Sequence, residues 1–99
     1  MFKLPVSDPV ARTILAREII HDGRRRGLAL SFQHLRILEM LLGTCGAIGS
    51  KMLGRSIGSR SRRPSRLLGA RMPPLRKAVA PYGYRINTYR NLGYAIVVR

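Results

Sequence analysis

Tyr84-Arg85-Ile86-Asn87-Thr88-Tyr89-Arg90-Asn91-Leu92-Gly93-Tyr94-Ala95-Ile96-Val97-Val98-Arg99 closes the chain and decides how the rest is read. Two β-prone runs, 84–88 and 93–98, flank a short Arg-Asn turn. Aromatic and β-branched residues suit a pleated, half-buried surface, with Ile86, Tyr94 and Ile96 expected to pack inward. That leaves Arg90 exposed at the tip. A strand pair carrying a cation at its turn suits the minor groove of DNA, where narrow A·T tracts concentrate negative potential. An ordinary surface hairpin is the competing reading.

Charge points the same way. Residues 1–54 carry eight basic and four acidic side chains, whereas residues 55–99 carry eleven basic ones and no acid. A half-chain without a carboxylate cannot neutralise itself through salt bridges and needs an external polyanion. Sixteen of the nineteen cations are arginine, whose planar fork suits phosphates and guanine edges better than lysine does. Nucleic acid is the leading partner.

At 99 residues the chain suits one domain with a modest core, and an apolar fraction of 45% argues against wholesale disorder. No apolar run is long enough to span a bilayer, and residues 1–20 lack the layout of a secretory signal. Cys45 is the single cysteine, so no internal disulfide is possible and a reducing cytosol fits. It is expected to pack as a small hydrophobe. His21 and His34 lack partners at metal-ligand spacing, so no metal or cofactor site is expected.

In residues 1–30, Ser7-Asp8-Pro9 suits the start of a short helix. Val10, Ala11, Ile14, Leu15, Ile19 and Ile20 do not gather on one helical face. Glu18–His21, the pair Asp22-Gly23, and Leu28–Leu30 read instead as strand, turn and strand. The expectation is a short helix or coil to about residue 15, then a hairpin. Ser31 to Leu42 reads as a helix capped by Ser31 and closed by Gly43, with Phe32, Leu35, Ile37, Leu38, Leu41 and Leu42 on its apolar face. Arg36 and Glu39 point away, and His34 is expected to be solvated. After the Gly-rich loop 43–49, Ser50 is placed to cap a second helix, 51–57, packed through Met52, Leu53 and Ile57. An arginine-rich stretch follows, with Arg60, Arg62, Arg63 and Arg66 able to lie along DNA backbone. Pro73-Pro74 should interrupt any helix there, because each proline deletes a backbone hydrogen bond and clashes with the preceding turn. The sequence therefore predicts one short helix to Arg71 and another from Pro74 to Ala80.

The closing segment resembles the wing of OmpR/PhoB-type winged helix-turn-helix effector domains, which end in a run of the form Ile-x-Thr-x-Arg-Gly-x-Gly-Tyr. Ile86, Thr88, Arg90, Gly93 and Tyr94 match it in order. Asn91 stands for the first glycine, and asparagine tolerates the same left-handed backbone. The resemblance spans roughly residues 28–98. It implies an α+β fold: a three-helix core with N-terminal strands and a C-terminal β-hairpin wing, built from an extension, 1–27, and a winged-helix unit, 28–99. His34 stands where the family has a glutamate near the start of its first helix, and Gly69 where it has an aspartate. Leu75-Arg76-Lys77-Ala78-Val79 fits the end of the family's third helix and Arg66 its start. Residues 1–27 offer no room for the family's N-terminal receiver domain, and Asp8 and Asp22 do not form an acidic pocket.

These features predict a stand-alone, sequence-specific double-stranded-DNA-binding protein, a small bacterial or phage transcription regulator working in the cytoplasm. The expected contacts are Arg60, Arg62, Arg63, Arg66, Arg71, Arg76, Lys77, Arg85, Thr88, Tyr89, Arg90 and Asn91. Either Arg76 and Lys77 enter the major groove on a second helical segment, or Arg66 and Arg71 do so on a kinked helix. The resemblance also implies RNA polymerase contacts in the loop before the third helix. Binding as a homodimer and binding in tandem both stay open. Two other classes compete: a non-specific nucleoid or ribosomal protein, and a polymerase-binding adaptor. Tyr82, Tyr84, Tyr89 and Tyr94 with Arg85 suggest a single-strand stacking platform, but tyrosines in a small sheet more often pack on helices. Tyr94 is assigned to the core and Tyr89 to contact. An enzyme is not expected. The glycines lack the spacing of a phosphate-binding loop, and no nucleophile has a histidine and carboxylate in support.

Overall fold

The computed structural model describes residues 8–44, 46–57, 64–90 and 92–98, with the side chains of 64–66 excepted. Four helices precede a two-stranded antiparallel hairpin: α1 (Pro9–Arg25), α2 (Phe32–Leu42), α3 (Ser50–Ser56), α4 (Pro64–Val79), a 3-10 turn (Ala80–Tyr82), β1 (Tyr84–Tyr89) and β2 (Gly93–Val98). The class is α+β, and the layout is compatible with a winged helix.

The expected amino-terminal hairpin is replaced by α1. Asp8 caps it, accepting from the Val10 N–H at 3.0 Å, and Pro9 takes the first turn. Ala16, Ile19, Ile20 and Gly23 form its buried stripe, while Val10 and Ile14 remain 65% and 57% exposed. Those two outward apolar residues blurred the helical period. Gly23 is not a turn residue either. A Cβ there would fall 2.5 Å from Leu30 Cδ1 and 3.3 Å from Ala78 Cβ, so this glycine lets α1 pack closely. The helix stops at Gly27, whose φ of 88° suits a left-handed cap. The Leu28 and Gly27 amides then donate to the carbonyls of Gly23 and Arg24, both at 3.0 Å.

Helix α2 begins after Ser31, as expected, but Phe32 is 68% exposed and His34 is buried. The Ser31 N–H donates to His34 Nδ1 at 2.8 Å, so the imidazole does the work of the acidic or amide side chain usual three residues after a cap. That overturns the solvated reading of His34. Helix α3 starts one residue early and buries Leu53, whereas Met52, expected to pack, is exposed.

Helix α4 runs unbroken through Pro73 and Pro74, against expectation. The prolines remove the usual i+4 N–H donors to the carbonyls of Gly69 and Ala70, and both residues are exposed, so water can take their place. On the opposite side Leu68, Met72, Leu75, Ala78 and Val79 are fully or almost fully buried. Burial of the Leu, Met and Val side chains among them stabilises by about 1.5–3 kcal/mol each, enough to outweigh the proline penalty. The last turn is held from outside, as Arg26 donates to the carbonyls of Lys77 and Ala78 at 3.3 and 3.2 Å.

The hairpin pairs Tyr84 with Val98, Ile86 with Ile96, Thr88 with Tyr94 and Tyr89 with Gly93. Ile86, Tyr94 and Ile96 turn inward as expected. Ile48, between α2 and α3, adds a rung on the outer side of β2: its N–H donates to Tyr94 O at 2.7 Å and its carbonyl accepts from Tyr94 N at 2.9 Å. Gly93 makes this approach possible. At φ 117°, a Cβ there would lie 1.9 Å from Ile48 O. Residues from all four helices, Ile48 and both strands share one hydrophobic core, to which α1 contributes Ala16, Ile19 and Ile20. The expected extension 1–27 thus supplies part of that core.

Candidate nucleic-acid interface

The four carboxylates of the chain lie at or before Glu39, on or beside α1 and α2. Helices α3 and α4 and the hairpin carry basic residues and no acid. The hairpin thus belongs to the half of the chain without a carboxylate, while α1 reaches its foot, where the Tyr82 hydroxyl donates to Glu18 O at 3.4 Å.

Around the hairpin tip, Thr88, Tyr89, Arg90, Leu92, Gly93 and Tyr94 face Gly49 and Ser50 across a cleft of about 380 Å³. Arg90 is exposed, as the sequence predicts, and Leu92 beside it is 65% exposed. Tyr89 is also exposed and receives a hydrogen bond from Asn87 Nδ2 at 3.3 Å. Arg85 lies exposed further along the same strand.

The α4 cations have more specific tasks than the sequence suggests. Arg76 donates from Nε to Ile86 O at 3.3 Å and from Nη2 to Thr88 Oγ1 at 2.7 Å. It ties the hairpin to the helix and so sets the angle of the tip. Arg71 is half-buried and donates from Nε to Gln33 Oε1 at 3.1 Å, tying α4 to α2. Lys77 is exposed on the outer side of α4, together with Gly69, Ala70 and Pro73. Arg66 falls in the first helical turn. Arg60, Arg62, Arg63 and Asn91, like Cys45, lie outside the described residues. The structure thus gathers Arg76, Thr88, Tyr89 and Arg90 around the hairpin and leaves Arg71 apart, against α2.

Sequence reasoning missed Arg26, which bonds Asp22 at 3.1 Å as well as the end of α4. The four-residue spacing of Asp22 and Arg26 was a visible helical signal. It also missed the Ile48 rung, for which a lone apolar residue in a glycine-rich loop was the only sign.

His34, in the first turn of α2, lies near the cations Arg71 and Arg24. Burial, then the positive charges of Arg71 and Arg24, hold its imidazole below the usual histidine range. With Nδ1 accepting from Ser31, the neutral ring carries its proton on Nε2, a buried atom without a partner among the described residues. Among the described residues no cluster of His, Cys, Asp or Glu is placed to hold a metal, and no helix is long and apolar enough to cross a membrane. No protein-family model, curated protein or solved structure matches the chain.

Proposed function

We propose that this protein binds double-stranded DNA as a small winged-helix transcription regulator, with α4 in the major groove and the hairpin as a wing in the minor groove. The observation that carries this reading is the exposed Arg90 at a hairpin tip braced to α4 by Arg76, in a half-chain with no carboxylate. The small outer side of α4 allows close backbone approach, with Lys77 at one end and Arg66 in the first turn supplying charge. In this reading Arg76 and Arg71 position the two contacting elements, while Arg85, Tyr89 and Arg90 face the nucleic acid. Arg60, Arg62, Arg63 and Asn91 are proposed as further contacts.

One observation favours a second reading, non-specific binding. Gly69, Ala70 and Pro73 offer no side-chain donor to base edges, so recognition leans on the backbone, groove width and deformability. The ratio of affinities for selected and random duplexes at fixed salt separates the two. The shared premise is tested by salt titration. If about six phosphates are neutralised, log K should fall with log salt at a slope of about −5, whereas a slope near zero contradicts DNA binding in either form.

A further inference from the structure

We propose that a groove between α1 and α2 docks an acidic peptide carrying a hydrophobic anchor. The groove has a volume of about 340 Å³ and is lined by Arg17, Ile20, His21, Arg24, Phe32 and Leu35. That is at the small end of ligand pockets, which span about 300–1,000 Å³. Phe32 stands at its edge with 68% of its surface in water. Val10 and Ile14, exposed two turns and one turn before Arg17, extend the apolar surface along the same side of α1. Exposed apolar surface rimmed by cations, with an aromatic anchor, is the composition of a protein-binding site.

Charge selects the occupant. Arg24 is fixed on the rim by donating from Nε to Leu30 O at 2.9 Å. Arg17, which no described ion pair neutralises, is exposed beside it. A carboxylate-bearing segment meets both, while its apolar side chain covers Phe32 and Leu35 above the buried Ile20. A second copy of this chain is a poor fit. Asp22 already pairs with Arg26, Glu39 with Arg36, and Asp8 caps α1, leaving Glu18 to face two arginines. The chain's own residues 1–7 contain Lys3 and no acid. The groove also holds two rings, His21 and Phe32, on which a base could stack, so competition by an oligonucleotide is one arm of the test below. The groove shares no residue with the cleft at the hairpin tip, so this proposal stands or falls apart from DNA binding.

The probe is a dye-labelled twelve-residue peptide with glutamates around a central Leu-x-x-Phe pair. It is titrated into the 99-residue chain near physiological salt, where loose charge attraction is screened, with amide and methyl NMR signals followed. The expected result is saturable shifts centred on Ile20, His21, Phe32 and Leu35. Phe32→Ser and Arg17→Glu should each weaken binding about tenfold, and Arg90→Ala should leave it unchanged. Both groove positions are exposed, so neither variant threatens folding. Equal binding of a peptide whose Leu and Phe are replaced by serine overturns the proposal. So does displacement of the peptide from these residues by a thymidine oligonucleotide. Phe32-dependent self-association without peptide, or nuclear Overhauser contacts from Phe32 to residues 1–7, assigns the groove to another occupant and overturns it equally.

Discussion

Replacing Gly93 by alanine tests how the hairpin is seated. The added Cβ would lie 1.9 Å from Ile48 O, 2.6 Å from Ile48 C and 2.8 Å from Gly49 Cα, all backbone atoms that no rotamer change can move. The strand must then separate from residue 48, breaking the two hydrogen bonds between Ile48 and Tyr94. Each contributes about 0.5–1.5 kcal/mol net. Holding a non-glycine residue at φ 117° costs about 1–3 kcal/mol more. The total of about 2–6 kcal/mol is a large share of the stability of a domain this size, about 5–15 kcal/mol. Urea unfolding followed by circular dichroism gives the total. Hydrogen exchange at the Ile48 and Tyr94 amides shows whether the loss is local. A Gly93→Ala variant less than about 1 kcal/mol destabilised, with both amides still protected, would refute the seating of β2 against Ile48.

Three further outcomes follow from the contacts. Arg76→Ala should cost about 1 kcal/mol in stability by removing its bonds to Ile86 O and Thr88 Oγ1, and should broaden the NMR signals of the hairpin tip; unchanged tip signals would deny it the bracing role. The lowered pKa of His34 means that the unfolded chain takes up a proton more readily than the folded one. Stability should therefore be full above pH 6.5, the ordinary histidine value, and fall as pH drops below it; His34→Gln, which keeps an acceptor for Ser31 N–H, should flatten that part of the urea-midpoint profile. Pro73→Ala should raise the melting temperature, because it returns an N–H to the Gly69 carbonyl and relieves a penalty of about 3 kcal/mol, offset in part by a looser unfolded chain.

The parts legible in the sequence were those decided locally. The β1–β2 hairpin lies within one residue of its expected bounds, because alternating apolar residues and a turn specify it without help from the rest of the chain. Helix α2 was legible for the same reason, from Ser31 to Gly43. The misses come from tertiary contacts. Asp22-Gly23 has the composition of a turn, yet Gly23 is set by the approach of Leu30 and Ala78. The prolines of α4 carry a local penalty that Leu68, Met72 and Leu75 override by burial. In the candidate site, the exposure of Arg90 and Tyr89 followed from their place at a turn. The tethering of Arg71 to Gln33 and of Arg76 to Thr88 joins residues 38 and 12 positions apart, and no spacing rule marks such pairs.

The central claim, that the hairpin is a DNA-binding wing, is tested most directly by Arg90. Its tip is exposed, so Arg90→Ala should change folding stability by no more than about 0.5 kcal/mol. The measurement is the affinity of wild type and variant for two duplexes differing only in an A·T or G·C flank, by fluorescence anisotropy at fixed salt. A wing arginine gives a loss for the variant that is larger on the A·T flank, where the narrower groove strengthens the attraction of an inserted arginine. An equal small loss on both makes Arg90 a generic phosphate contact, and no loss on either contradicts the wing.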